Sequence, residues 1–531
     1  MALNLASPGI VVREVDLTIG RVDATSGSIG AIVAPFTKGP VEEAQLIESE
    51  EDLLQTFGRP YSVDKHYEYW MVASSYLAYG GTMQVIRASD AGLKNATDDG
   101  SPELLIKSDT HYNQLGYDDS IITSTVVAAK TPGSYANGIR VSIIDGKADQ
   151  IITTSGISTV GMGVTQSVSG RIVAGAGGTS VLDGYLKGIV TGIPETGKVE
   201  VKVLSHVSAA GTITKVDYQA NGVYCFKANE ILSASLAGTN VSAATTSVVS
   251  TQIDWFEQQE IVLTTKDGNG NPIKLEWDAL ADAPGTSSYA QARGGRFDEL
   301  HVVVIDDKGT ITGNAGTILE KHLNLSKATD AEYSVGSTSY WRKYLANVSQ
   351  YIYGGRAPAG ITTTGFDGAT ATAIGSLDTD NGWDQPADSA DKGFGVIGVF
   401  TSSLTGGKNY GGKTDYVTTG ALDPGVDDIL GGLEIFSNTE EVEVDFIMMG
   451  AAHHTKEKSQ AVAEKCIAVA EARKDAVAFI SPFRQAFLND GTAGTVTVNN
   501  IDTMTNKVVE FFAPITSTTT TCSSSCLAPL A

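Results

Sequence analysis

Positive charge is scarce in this chain of 531 residues: 37 Lys and Arg stand against 61 Asp and Glu, a formal net charge of −24. Affinity for phosphate comes from basic surface that releases counterions, so a field of this sign repels a polyanion and excludes bare nucleic acid as a partner. Charge of either sign is sparse as well, at 18% of residues, while 42% are hydrophobic. Disordered chains show the reverse, low hydrophobicity with high charge density. Long apolar runs are missing: the best, Phe446-Ile-Met-Met-Gly-Ala-Ala452, falls far short of the ~18 residues that span a bilayer. Met1 to Gly20 holds no basic segment followed by an apolar one, so no secretory signal is read there. Cysteine is equally short, and Cys225, Cys466, Cys522 and Cys526 are too few and too scattered for a disulfide scaffold. The expectation is a soluble protein made in a reducing cytoplasm, with no membrane partner.

What the chain has in quantity is glycine, 58 residues, which with the low charge density suits a β-rich protein with many turns. At about 150 residues per domain the length suggests roughly three or four domains. Alternating α/β texture marks both ends. Ile29 to Pro35 reads as a buried strand. Ser49-Glu-Glu-Asp52 reads as an N-cap with an acidic first turn, with Leu53, Leu54 and Phe57 as the apolar stripe and Gly58 as the stop. A second helix is predicted from about Val63 to Tyr79 and a strand over Met83-Gln-Val-Ile-Arg87. Near the other end, a strand in Val442 to Met449, a helix from about Lys456 to Lys474 with Thr455 as N-cap, and a strand over Ala476 to Ile480 predict a βαβ unit and a parallel sheet.

Between about 93 and 338 the helical period fades. Short β-branched segments such as Gly138-Ile-Arg-Val-Ser-Ile-Ile144 and Lys198-Val-Glu-Val-Lys-Val-Leu204 recur between turn residues, and Asp267-Gly-Asn-Gly-Asn271 reads as a hairpin connection. The fold class expected is α+β multidomain, a discontinuous α/β core with inserted all-β domains of sandwich or barrel type. Residues 151–250 are read as a β domain inserted into another domain.

One catalytic pattern is met to the letter. Gly407-Lys-Asn-Tyr-Gly-Gly412-Lys413-Thr414 matches a phosphate loop, in which backbone amides wrap phosphates, the Lys reaches the outer ones and the Thr holds Mg²⁺ at the start of a helix. Gly393 to Phe400 supplies a candidate strand, but Asp415 to Pro424 makes a poor helix, with β-branched residues, Gly and Pro in its first turns. The acidic partner, Asp306-Asp307, is expected in a different domain. A Gly-rich surface loop is the favoured reading, and a nucleotide-binding enzyme built on residues 407–414 is the alternative. His453-His454 follows a presumed parallel strand yet lacks further ligands at metal spacing. Asp267, Asn269 and Asn271 open like a calcium loop, but Pro272 replaces the needed Gly and Asp278 stands where the bidentate Glu belongs. Cys522 and Cys526 sit in a Thr/Ser tract without a partnering His. No cofactor, metal or catalytic residue is expected.

The start is more informative. Pro8, Gly9, Ile10, Val11, Val12, Arg13, Glu14, Val15 and Leu17 form a strand-like segment with Val11, Val15 and Leu17 on one face and Ile10 and Val12 on the other. Apolar residues on both faces want a sheet to join, within the chain or on a neighbour.

Six segments together resemble the contractile tail sheath proteins of bacteriophages, the family of T4-like sheaths. They are Ser7 to Val15; Gly39-Pro-Val41 with Phe57-Gly-Arg-Pro60; Gly80-Gly-Thr-Met-Gln-Val-Ile-Arg-Ala88; Thr131-Pro-Gly-Ser-Tyr-Ala-Asn-Gly-Ile-Arg-Val141; Leu404-Thr-Gly-Gly407; and Glu440 to Phe446 leading into Ala472-Arg-Lys-Asp475 and Ser481-Pro482. The resemblance implies an N-terminal arm at 1–22, a discontinuous α/β core at 23–92 and 338–512, a middle β domain at 93–150 and 251–337, and an outer inserted β domain at 151–250. It implies a structural subunit, not an enzyme. Subunits would polymerise helically around a tail tube in the virion after assembly in the host bacterial cytoplasm. The sheath would meet baseplate and tail terminator proteins and contract to drive genome delivery. Residues 8–17 would be an inter-subunit arm that adds a strand to a neighbour's sheet. The sequence departs from the family after Val508 to Thr516, where it runs into the Thr/Ser/Cys tract at 513–531. It is expected to lack much of the family's tube-facing C-terminal region.

Overall fold

The computed structural model describes residues 28–61, 66–101, 103–118, 122–157, 160, 162–175, 178–236, 239–242, 249–253, 255, 259–358, 383–387, 394, 396–451, 455–490 and 496–518. They fall into two compact units, one within Met1–Phe36, Val41–Ser89 and Asp423–Ala531, the other within Thr37–Pro40 and Asp90–Leu422.

The first unit is built on a five-stranded sheet. Its strands are β1 (Ile29–Ala34), β2 (Ala44–Ile47), β3 (Thr82–Arg87), β8 (Phe446–Met448) and β9 (Val477–Phe479), in the spatial order β2-β3-β1-β8-β9. β1 pairs parallel with β3 and β8, β8 pairs parallel with β9, and only β2 runs antiparallel. A parallel sheet is covered on both faces, so its central strands are nearly all apolar; five of the six residues of β1 are buried.

Helix α1 (Glu50–Phe57) starts where Ser49 Oγ accepts from the Asp52 amide at 3.2 Å, and stops at Gly58, whose φ of +86° suits glycine and whose amide reaches Leu54 O. Helix α2 (His66–Ala78) buries Tyr69, Trp70, Ala73 and Leu77 against Ile32, Phe36, Met83 and Val85. Helix α5 (Val426–Ile435) comes close to β1 at Gly432, where a Cβ would lie 2.5 Å from Val33 Cγ1. Helix α6 (Lys456–Arg473) joins β8 to β9, completing the predicted βαβ unit, and ends on Lys474 at φ +64°. Its last residue, Arg473, caps two buried carbonyls, Phe436 O at 2.6 Å and Val442 O at 3.0 Å.

The centre of the second unit is a four-stranded antiparallel sheet of β4 (Ile139–Ile144), β5 (Glu299–Asp306), β6 (Thr317–Ser326) and β7 (Val399–Ser403), in the order β6-β5-β4-β7. Alternation along β4 and β5 sends Ile139, Val141, Ile143, Leu300, Val302 and Val304 into one core, with Trp341 and Leu345 of helix α4 (Trp341–Val348). Ile144, Val303 and Ile305 face a second core around Trp255, Ile261, Leu263 and Trp277. The hairpin Glu260–Lys266 with Pro272–Glu276 turns through residues 267–271 as predicted, where Asp267 Oδ1 accepts the Asn269 and Asn271 amides.

A larger sheet follows from the stretch 150–252. It runs Thr239–Ser242, Leu232–Leu236, Gly163–Ser167, Tyr185–Glu195, Lys198–Val207, Gln150–Thr153, Val249–Gln252, with Ile213–Lys215 as an eighth strand on Lys198–Val207. All its pairings are antiparallel. One placement differs from the sequence reading, which put 338–512 with the α/β core. β7 is hydrogen-bonded along β4, and α4 packs in the core of the central sheet. Residues up to Leu422 therefore belong with the second unit. Strand partners are chosen by long-range register, which leaves no local mark on a five-residue segment such as Val399–Ser403.

Candidate functional site

The phosphate-loop pattern folds into something else. After β7 the chain passes through residues 407–414 with one short 3₁₀ turn at Tyr410–Gly412, and the next helix in the chain, α5, begins only at Val426. The loop amides are already spent. Gly407 N donates to Asn137 Oδ1 at 2.8 Å, Asn409 N to Lys413 O at 2.7 Å, Gly411 N to Asp90 Oδ1 at 3.1 Å and Gly412 N to Asn409 O at 3.0 Å. The carboxylate of Asp90 thus takes an amide that a bound phosphate would need. Lys408 pairs with Glu103.

The acidic partners are used up in the same way. Asp306 accepts the amides of Thr310, Ile311 and Thr312 at 2.9, 3.0 and 2.7 Å, and Asp307 accepts the Thr264 and Thr265 amides at 3.0 and 3.3 Å. A carboxylate whose lone pairs are filled by backbone donors has little left for Mg²⁺. The expectation that these acids lie in another domain than the loop is corrected by the topology: β5, which ends at Asp306, and β7, which leads to the loop, flank β4 in one sheet. The alternative enzyme reading has no support in this geometry.

What residues 404–413 do instead is lock backbone to backbone. Gly406 sits at φ +79°, where a Cβ would lie 2.9 Å from Gly100 Cα, and a Cβ on Gly407 would collide with Gly133 O. Two asparagines close the junction. Asn137 bonds both polar groups of Gly407, its Oδ1 accepting from the amide and its Nδ2 donating to the carbonyl at 2.9 Å. Asn409, fully buried, accepts from the Ser134 amide at 2.9 Å and donates to Ser134 Oγ at 2.8 Å. Gly39 N reaches Thr131 Oγ1 at 3.3 Å, and Lys38 beside it lies 5.8 Å from the Tyr351 ring, burial pushing its amine down to about 8. Three of the quoted segments, those holding Gly39, Thr131 to Asn137, and Gly406-Gly407, thus meet at one place in the second unit.

The arm residues Pro8, Gly9, Ile10, Val11, Val12, Arg13, Glu14, Val15 and Leu17 lie outside the described residues, as do His453, His454, Cys522 and Cys526. The described chain begins at Ser28, whose carbonyl accepts from Tyr76 OH at 2.7 Å, and Ile29 is tied to Asp445 through two bonds of 2.8 Å. At the edges of this sheet, β2 and β9 have no further strand beyond them among the described residues. No group of three or more metal-ligating side chains occurs among the described residues, and no helix there is long and apolar enough to cross a membrane.

The sequence reading missed a fully buried ion pair. Lys327 Nζ meets Asp145 Oδ2 at 2.9 Å with neither side chain exposed to solvent. Lys327 also donates to Phe297 O at 2.7 Å, and Asp145 accepts from Ile397 and Gly398. Arg171 plays a similar part in the large sheet, reaching Val223 O, Cys225 O, Gln166 Oε1 and Glu230 Oε2 at 2.6–2.8 Å. No local pattern announces either, because apart from Gln166 every partner comes from a distant part of the chain.

Comparison with known proteins gives one consistent answer. No protein-family model matches the chain. The tail sheath protein of Enterobacteria phage T4 is 33% identical over 88 residues, 17% of this chain and 13% of that protein. That of Vibrio phage KVP40 is 35% identical over 96 residues, 18% and 14% respectively. That of Salmonella phage ViI is 22% identical over 364 residues, 65% of this chain and 48% of the relative. The matched part thus spans at most about half the length of these relatives. A solved sheath tail protein from Listeria innocua aligns over 42% of this chain and 33% of its own, at 16% identity and a TM-score of 0.14. In sequence the chain is similar to the phage tail sheath proteins, the family that its six segments resemble.

Proposed function

We propose that the chain is a structural subunit of a contractile tail sheath, which polymerises around a tail tube and shortens to drive genome delivery, with no catalytic step of its own. The observation that carries the reading is the 364-residue match to a tail sheath protein, which covers most of this chain. The Gly406-Gly407 junction supports it, since a pattern that would otherwise argue for nucleotide chemistry is spent on holding backbone together. In this reading residues 8–17 are the arm that adds a strand to a neighbouring subunit, and the outer strands β2 and β9 are the edges able to receive one. The partners are other copies of the chain, the tail tube, and the baseplate and tail terminator proteins, within the virion after assembly in the host cytoplasm. The domain division proposed is an arm at 1–22, a core joining both ends of the chain, and β domains between them.

Sedimentation of the purified chain over rising concentration tests this, with and without residues 1–22. Self-association that deepens with salt and vanishes on deletion is expected, because salt screens the repulsion between copies of net charge −24. A monomer at every concentration, with the arm present, overturns the arm assignment. Calorimetry with ATP and Mg²⁺ is expected to show no binding, and binding abolished by Lys413→Ala would restore the enzyme reading.

A further inference from the structure

Asp145 and Lys327 stand at the same end of the central sheet. Asp145 directly follows β4, Lys327 directly follows β6, and β5 runs between those two strands. Lys327 Nζ touches Asp145 Oδ2 at 2.9 Å, and both side chains are at 0% exposure. Another lysine–aspartate contact in this unit is wet by comparison. Lys130 meets Asp109, the first residue of helix α3 (Asp109–Gln114), at 3.3 Å, but that carboxylate is 67% exposed.

Three features suit the buried pair to condensation rather than to a lasting ion pair. Burial disfavours charge on both partners, pushing the Asp145 carboxyl up and the Lys327 amine down, and the field of Lys202 lowers the amine further. A proton passed from Nζ to Oδ2 then leaves a neutral acid in contact with a neutral amine, which is a nucleophile. Next, Asp145 Oδ1 accepts from the Gly398 amide at 2.8 Å and from the Ile397 amide at 3.0 Å, the latter lying equally close to Oδ2. Two backbone donors on one carboxyl oxygen can hold the negative charge that a tetrahedral carbon would put there. Finally, the competing carboxylate is occupied. Asp298 acts on Lys327 through its field, but its Oδ1 accepts the Ser287 amide at 2.8 Å and its Oδ2 the hydroxyls of Ser287 and Ser326, each at 2.6 Å. The amine is aimed by its bond to Phe297 O at 2.7 Å, with the buried Trp383 ring 5.2 Å away.

We infer that Lys327 and Asp145 of the folded chain condense into an intramolecular isopeptide bond. The lone pair of the neutral Nζ attacks Cγ, and Oδ1 takes the negative charge against the Ile397 and Gly398 amides. The Nζ–Cγ bond forms, the Cγ–Oδ2 bond breaks, and Oδ2 leaves as water with two protons that began on the ammonium. The third proton stays on the amide nitrogen. Nothing is oxidised or reduced, and no co-reactant is needed. Holding the two groups in contact replaces an encounter in solution, and the neutral product removes two charges from a dry site. Residues 145 and 327 bracket the stretch 150–252, so the bond closes a covalent loop around the large sheet. This inference does not rest on the sheath reading.

Mass spectrometry of the purified full chain, denatured before measurement, tests it on the unsubstituted protein. The expected mass is that of the sequence less one water. Trypsin should then yield a branched peptide in which Val141–Lys147 is joined to His322–Arg342, since an acylated Lys327 is no longer cleaved, while Lys130 and Asp109 stay in unbranched peptides. Lys327→Arg should restore the full mass. Gly146 follows Asp145, so closure of the carboxyl onto the Gly146 amide would also lose water, but it leaves the two peptides separate. Full mass in the unsubstituted chain, loss of water with separate linear peptides, loss of water that persists in Lys327→Arg, or a Lys130–Asp109 link in place of the expected one would overturn the inference.

Discussion

The two units are cemented differently. In the first, side chains packed around the five-stranded sheet are mostly apolar, with Arg473 as a buried charge at the end of α6: Ile32, Phe36, Leu53, Phe57, Trp70, Met83 and Val85 form one continuous core. In the second, the apolar cores on the central and large sheets are tied to their loops by buried polar groups, chiefly Asp145 with Lys327, Arg171 with four acceptors, and Asn409 with Ser134. An apolar core tolerates volume-conserving exchange, whereas a buried polar pin fails when either partner is lost. The second unit should therefore be the more brittle to single substitutions that preserve size.

The largest effect expected from that contrast is at Lys327. Lys327→Met keeps most of the side-chain volume but leaves Asp145 charged or forced to take a proton in a site with no solvent exposure. Removing one partner of a buried pair typically costs about 3–5 kcal/mol. Hydrogen exchange read peptide by peptide should show the loss in β4 and β5 while α1, α2 and β1 keep their protection, since separate units open separately. An equal loss in both units, or none in either, breaks the comparison.

Glu200 carries the next effect. It lies in the large sheet opposite Gly192, where an added Cβ would collide with its carboxylate, and burial pushes its carboxyl up to about 7. The folded state then holds this proton between about pH 4.5 and 7 while the unfolded state has released it. Stability from this group is full below that window and is lost as pH rises through it. Glu200→Gln should leave stability unchanged at pH 4 and raise it at pH 8 by on the order of 2–3 kcal/mol, since each tenfold difference in proton affinity between the two states is worth about 1.4 kcal/mol. Urea melts at the two pH values check this; a gain that is the same at both would mean that the carboxyl is not the cause.

The same contrast explains what could be read from the sequence. The first unit announces itself through local signals: the Ser49 cap and Gly58 stop of α1, the helix expected between about Val63 and Tyr79 that is α2, and the strand-helix-strand run through β8, α6 and β9. In the second unit, strand existence was legible in β4 and the hairpin after Glu260, but partnership was not. β7 joins β4 across a long stretch of chain, and so does the Asn409 clamp onto Ser134. At 407–414 the letters of a phosphate loop are present, but the poor helix former that follows them, Asp415 to Pro424, already favoured a surface loop, and their amides are bonded elsewhere.

The smallest effect tests the legible side. Ser49 caps α1 by accepting the Asp52 amide, and Glu50, Glu51 and Asp52 place negative charge at the positive end of the helix. Ser49→Ala leaves that amide to water on an exposed surface, so the cost should be about 1 kcal/mol. Ser49→Asp should recover most of it, since an aspartate accepts the same bond, although a fourth acid beside three others limits the gain. Hydrogen exchange of α1 reads both. If Ser49→Ala costs as much as Lys327→Met, local capping and long-range polar pinning are equally decisive, and the division between a unit held by packing and a unit held by buried charge fails.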